Sequence, residues 1–237
     1  MRVAILVDGG FYRKRAVALF GEKNPKERAD ELWQYCLRHC AERSDSLERS
    51  AKELYRIFYY DCPPLEKTVY HPFLKKEISL KKTPLYSWTT EFFLALASKR
   101  KTAIRRGELL ESDAEYTLNP DAQKRLLNGT IQWHDLTEKD FRLDVKQKGV
   151  DLRIGLDIAS MAHKKQVDQI VLIAGDSDFV PAAKYARREG IDFILDPLWQ
   201  PIRPSLSEHI DGLYTCTPKP GSQVIDPLCI KPGGPVR

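Results

Sequence analysis

Residues 171–193 read VLIAGDSDFVPAAKYARREGIDF, and the order of residue types in that stretch decides the fold. Residues 169–174 (QIVLIA) are an aliphatic run of strand length, the composition of a strand buried on both faces. Gly175-Asp176-Ser177-Asp178 ends the run, and a helix is expected from about 179 to 188, stopped by Gly190. Residues 192–195 (DFIL) then read as a further strand, closed by Pro197. Strand, helix and strand in so short a span make a crossover unit of a parallel sheet.

The same pattern extends outward. Residues 3–7 (VAILV) form a second aliphatic run, stopped by Asp8-Gly9-Gly10, where glycine lets the backbone turn sharply. A helix over 151–162 is expected to bury Ile154, Leu156, Ile158, Ala159 and Met161. Residues 56–60 (RIFYY) read as a strand closed by Asp61-Cys62-Pro63-Pro64, and 27–55, free of Pro and Gly, read as helical. Thr90 is placed to cap a helix running to Arg106, with Phe93, Leu96, Ala97 and Ile104 near one face. Strand-like segments follow at 108–118, 130–134 and 141–146, then a short helix near 205–209 and a strand at 213–216. The result is an α/β domain over 1–216, a mainly parallel sheet covered by helices on both faces. An insertion occupies about 64–140, and the Pro/Gly-rich residues 217–237 are expected to be a disordered tail.

With 237 residues, 42% hydrophobic and 30% charged, the chain can build one substantial core. No run approaches the ~18 apolar residues of a membrane helix. The N-terminal apolar run ends in Asp-Gly-Gly without a small-residue cleavage site, so it reads as a strand and not a signal. A cytoplasmic protein with no membrane partner is expected. The cysteines (Cys36, Cys40, Cys62, Cys216, Cys229) are odd in number and unpatterned, which suits reduced thiols. Cys36, His39 and Cys40 lack a second ligand pair at metal-site spacing and read as ordinary helix residues.

The net charge of +5 is unevenly spread: residues 64–110 hold ten Lys/Arg against four acids. A localised positive stretch suits a polyanion. It alternates with Tyr70, Phe73, Tyr86, Trp88, Phe92 and Phe93, and cations with aromatic platforms grip single strands, although Phe92 and Phe93 fit a core better. Lys99, Arg100, Lys101, Arg105 and Arg106 are the candidate nucleic-acid contacts.

Functional groups of a parallel α/β sheet collect beyond the carboxyl ends of its strands. Two aliphatic runs here end in carboxylates, Asp8 and the pair Asp176 and Asp178, while Asp151 opens a helix after Lys148-Gly149-Val150. Taken singly, Asp8, Asp151 and Asp178 could each be a turn or N-cap residue. Four convergent carboxylates are costly unless a cation neutralises them. Oxygen ligands without His or Cys favour Mg²⁺ or Mn²⁺, ions that activate water and orient a phosphodiester.

Three segments carry a family resemblance: VAILVDGGFYRK at 3–14, KGVDLRIGLDIASMA at 148–162, and the stretch at 171–193. Together the chain resembles the NYN domain family, the LabA-like branch of the PIN-like nuclease superfamily. The resemblance implies a three-layer α/β/α fold and a Mg²⁺- or Mn²⁺-dependent ribonuclease site. By motif position Asp8, Asp151, Asp176 and Asp178 look like its metal-binding and catalytic carboxylates, with Asp157 as a provisional further ligand. Asp157 lies six residues past Asp151, about 120° around the helix. Lys148 and Ser177 are candidates for contacting phosphate or a carboxylate. Many relatives carry Asn two or three positions after the first Asp, where this chain has Gly10 and Phe11. The bare Gly9-Gly10 backbone could instead supply N–H donors to an anion.

The expected activity is endonucleolytic cleavage of single-stranded or loop RNA by metal-activated water. The alternative is a non-catalytic RNA- or protein-binding module of the same fold. A phosphatase of the haloacid dehalogenase type needs Asp-x-Asp after the first strand; Asp8-Gly9-Gly10 does not supply it. Oligomeric state is not legible.

Overall fold

The computed structural model describes residues 1–41 and 52–220. Strand β1 (Arg2–Asp8) leads into helices α1 (Gly9–Phe20) and α2 (Pro25–Cys40), then β2 (Glu53–Asp61). Two short strands, β3 (Thr68–His71) and β4 (Lys76–Ser79), precede α3 (Pro84–Ala97) and β5 (Thr102–Arg106). Next come β6 (Glu108–Leu109), β7 (Glu115–Leu118), α4 (Pro120–Leu127), β8 (Phe141–Asp144) and β9 (Gln147–Lys148). The chain ends as α5 (Val150–His163), β10 (Gln169–Ile173), α6 (Val180–Arg188), β11 (Asp192–Asp196), α7 (Pro204–Ser207) and β12 (Gly212–Leu213).

Two compact units result. The first gathers 1–61, 91–106 and 149 onward around a six-stranded parallel sheet ordered β12-β11-β10-β1-β2-β5. β1 is central, flanked by β10 and β2, and Val3 to Val7 are all fully buried. β2 and β5 extend the sheet one way from β1; β10, β11 and β12 extend it the other way. Right-handed crossovers therefore send α1, α2 and α3 to one face and α5 and α6 to the opposite one. Tyr59 of β2 packs edge-on against Phe92 and Phe93 of α3, whereas its neighbour Tyr60 bonds Asp157 of α5. This is the mainly parallel α/β/α arrangement expected.

Buried polar groups tie α2 to the C-terminal strands. Asp196, fully buried at the end of β11, accepts from the Tyr35 hydroxyl, Thr215 Oγ1 (2.8 Å) and the Leu198 amide (2.9 Å). His39 Nε2 lies 2.9 Å from the same carboxylate, so His39 has a structural partner. The neighbouring Cys36 thiol is pushed up by burial, which makes it a core residue.

The second unit comprises 62–90 and 107–148. It holds the antiparallel pairs β3–β4, β6–β9 and β7–β8 around Leu65, Val69, Leu80 and Ala114. His71 stacks on Tyr116 at 4.3 Å between ring centres.

Several expected elements differ. The helix expected over 27–55 ends at Cys40, residues 42–51 lie outside the described residues, and 53–55 already belong to β2. The helix expected from Thr90 to Arg106 begins at Pro84, where the Thr83 hydroxyl accepts the Tyr86 amide, and stops at Ala97. Residues 102–106 are instead a strand, because an open edge of β2 offers them a full ladder after Lys101 turns the chain at φ 59°. The short turn or helix expected around Pro120 is helix α4 after the Asn119 cap, whereas 133–135 form a 3₁₀ turn in place of a strand. In α5, Ile154, Ile158 and Met161 face the core, while Leu156, expected inside, is 59% exposed. Of the expected tail, 221–237 and Cys229 lie outside the described residues.

Candidate active site

The strand order reverses direction at β1, so the crevice beyond the carboxyl ends of β1 and β10 is where this topology places a ligand. Asp8 is the last residue of β1, and Asp176 follows β10 by three residues. Val7 pairs with Ile173, which brings the two exits level.

Asp8 is also the N-cap of α1: its Oδ1 accepts the Phe11 amide at 3.1 Å, and the Gly10 amide faces it as well. Burial pushes its pKa up to about 6, assisted by the negative charges of Asp151 and Asp61 and opposed by those amides. Asp151 lies in the first turn of α5. Its pKa is raised by partial burial first and then by Asp176 and Asp178. Asp176 Oδ1 accepts the Asp178 amide at 3.1 Å, which closes the 3₁₀ turn Ser177–Phe179 and holds both carboxylates at the exit of β10. The simple capping alternative therefore applies to Asp8 but not to Asp151 or Asp178: Gly149, at φ 81°, caps α5 and Phe179 caps α6.

Asp151 lies within electrostatic reach of Asp8 on one side and of Asp176 and Asp178 on the other. No group of three or more His, Cys, Asp or Glu among the described residues is arranged to hold a metal ion. The donor chemistry suits a hard divalent cation: every group is a carboxylate, and like charges raise the pKa of Asp8 and Asp151.

Other expected contacts fall elsewhere. Asp157 accepts from Tyr60 Oη at 2.8 Å and Arg105 Nε at 3.0 Å, both at Oδ2. Gly10's amide is directed at Asp8, and Gly9 is needed for close approach: a Cβ there would meet Tyr59 Oη at 2.5 Å and Asp61 Oδ2 at 2.7 Å. Ser177 Oγ is contacted by Arg203 Nη1 at 3.5 Å. Lys148 is an exposed residue of β9 in the second unit.

The basic run does not form one helix face. Lys99 pairs with Asp30, and Lys101 with Glu53 and the Leu54 carbonyl. With Arg100 they precede β5, at the amino end of the parallel sheet, whereas Arg105 and Arg106 lie at the carboxyl end level with Tyr60 and Asp61.

Sequence reasoning missed Asp61. Its buried carboxylate takes Arg13 Nε at 3.0 Å, Arg13 Nη2 at 3.1 Å and the Tyr59 hydroxyl at 2.9 Å. The rule that flagged Asp8, a carboxylate directly after an apolar strand, applies equally to Asp61 after RIFYY. Arg13 and Arg203 carried no sequence signal beyond being basic.

The parallel six-stranded sheet between two layers of helices is an architecture of the PIN-like kind, with Asp8 and Asp176 at the strand exits beside its switch point. The profile of the NYN domain family matches residues 98–198 of the chain. The match includes Asp151, Asp176 and Asp178; Asp8 lies outside it and reaches the site through the central position of β1. No curated protein matches the chain. Among solved structures, a protein of unknown function from Vibrio parahaemolyticus is 14% identical, with 90% of each chain covered and a TM-score of 0.43.

Proposed function

We propose that the chain is a LabA-like, Mg²⁺- or Mn²⁺-dependent endoribonuclease acting in the cytoplasm on single-stranded or loop RNA. One observation carries this reading: at the switch point the charge of Asp151 adds to the burial that raises Asp8, and Asp176 and Asp178 add to the burial that raises Asp151. Asp8, Asp151, Asp176 and Asp178 would hold the cation. When bound, such an ion lowers the pKa of water and stabilises charge developing on phosphate oxygens. The amides of Gly10 and Phe11 fix Asp8, and the Asp178 amide fixes Asp176, so the carboxylates are held before any substrate arrives. Arg203 beside Ser177 supplies positive charge next to the Asp176 turn. No helix among the described residues is long and apolar enough to cross a membrane.

The test is incubation of defined RNA and DNA strands with purified protein in Mg²⁺, Mn²⁺ or EDTA. Scission of RNA in the presence of metal and none in EDTA is expected. Failure to cut any strand with any divalent ion would overturn the reading.

The second reading is a non-catalytic RNA- or protein-binding module. The absence, among the described residues, of three chelating side chains already arranged around one point favours it. Thermal stabilisation by Mn²⁺ without cleavage would support that module.

A further inference from the structure

Asp157 and Arg105 form a second feature on the same sheet face, separate from the carboxylate cluster. The parallel register sets Asp8 level with Tyr60 and Tyr60 level with Arg105, so the three lie in one row across β1, β2 and β5. Opposed residues of parallel strands share a face, and two strand spacings put Arg105 roughly 10 Å from Asp8. That face is the one covered by α5, since Tyr60 reaches Asp157.

Arg105 is held from three sides. Its Nε donates to Asp157 Oδ2 at 3.0 Å, its guanidinium carbon lies 5.0 Å from the centre of the Phe58 ring, and Tyr60 stands beside it. Tyr60 Oη donates to the same Oδ2 at 2.8 Å. Burial and the Asp157 charge push the Tyr60 pKa far up, so the phenol stays a donor. Phe58 and Tyr60 are buried, yet the Arg105 side chain is 45% exposed. An Arg fastened through one N–H and one ring face has lost rotamer freedom before any ligand arrives. A surface ion pair of this kind contributes little stability. Its geometry instead suits recognition of an anion, because a planar guanidinium presents five donors and only Nε is spent on Asp157.

We propose that Arg105 binds a backbone phosphate of the nucleic-acid strand flanking the one at Asp8, and that Asp157 and Tyr60 are positioning residues for it. The identity of the ligand rests on the nuclease reading; the arrangement of Arg105 does not. Asp157 thereby serves the strand through Arg105 and is not a metal ligand. Arg105 differs from Lys99 and Lys101 in its place: they precede β5 at the amino end of the sheet, whereas Arg105 lies at the carboxyl end in the row of Asp8.

The experiment measures binding of a fluorescein-labelled 2′-O-methyl single-stranded RNA in EDTA, by anisotropy, across a series of KCl concentrations. Each phosphate neutralised on a single strand contributes about 0.7 to the slope of log affinity against log salt. Arg105→Ala should weaken binding about fivefold and lower that slope by about 0.7, whereas Arg105→Lys should keep the slope. Asp157→Asn, which keeps the shape, should weaken binding while leaving both the slope and calorimetric Mn²⁺ affinity at the wild-type value. An unchanged slope in Arg105→Ala overturns the proposal, as does a wild type that fails to bind the strand. A tenfold loss of Mn²⁺ affinity in Asp157→Asn also overturns it by making Asp157 a ligand. A wild type that binds with an Arg105-dependent slope but never cleaves would sink the nuclease reading and leave this one standing.

Discussion

Asp8 and Asp151 approach from different elements, one ending β1 and the other in the first turn of α5, and the charge of Asp151 adds to the burial that lifts Asp8 to about 6. The fold thus keeps a carboxyl in a place that disfavours its ionised form. A carboxyl shifted by burial together with a specific charge partner is a functional-site candidate.

The first prediction concerns stability. Between its ordinary 3.8 and about 6, Asp8 binds more proton in the native than in the unfolded chain. Stability therefore falls as pH rises through that window, and above it the loss is constant at roughly 3 kcal/mol. Asn can keep the cap but carries no charge. In EDTA at pH 7, Asp8→Asn should unfold at a higher temperature than the wild type, and the gain should shrink toward pH 4. A lower melting temperature at pH 7 would contradict the assignment.

A second prediction concerns the pair behind the site. Arg13 holds both oxygens of Asp61, whose side chain is fully buried. Removing one partner of such a pair leaves a buried charge exposed to its full desolvation cost. Arg13→Ala should cost about 3 kcal/mol in urea unfolding at pH 7. A cost below about 0.5 kcal/mol would show that the pair is not structural.

The third prediction concerns close approach. Gly9 leaves no room for a methyl group, since Tyr59 Oη and Asp61 Oδ2 would both lie within 2.7 Å of it. Gly175 is equally confined, with Phe11 Cε2 at 2.5 Å from the position of a Cβ. Gly9→Ala and Gly175→Ala should each destabilise by about 1–3 kcal/mol. Gly21, where a Cβ would meet nothing within 4 Å but φ is 74°, serves as the comparison that isolates backbone strain from crowding.

The central strands were legible because their chemistry is local. VAILV and QIVLIA are buried on both faces, so composition alone identifies them, and the acids that follow fall at the switch point by topology. The run KRKTAIRR was misread because its charge suggests a solvated helix, while its structure is decided by the distant edge of β2. No local pattern reports an available strand partner. Asp157 was provisional for a related reason: its position around α5 was readable, but its partners, Arg105 and Tyr60, come from β5 and β2. Asp61 follows its strand as directly as Asp8 does, but the two prolines after Cys62 give the segment the look of a simple closure.

The most direct test of the central claim is the single-turnover rate of Mn²⁺-dependent RNA cleavage by the wild type beside Asp8→Asn and Asp176→Asn. Replacing even the hydrogen-bonding partners of metal ligands costs roughly 10–100-fold, so loss of a carboxylate that holds the ion should cost more than about 100-fold. The account predicts that loss in both variants, with circular dichroism of the folded protein preserved. Cleavage by either variant at the wild-type rate would contradict it.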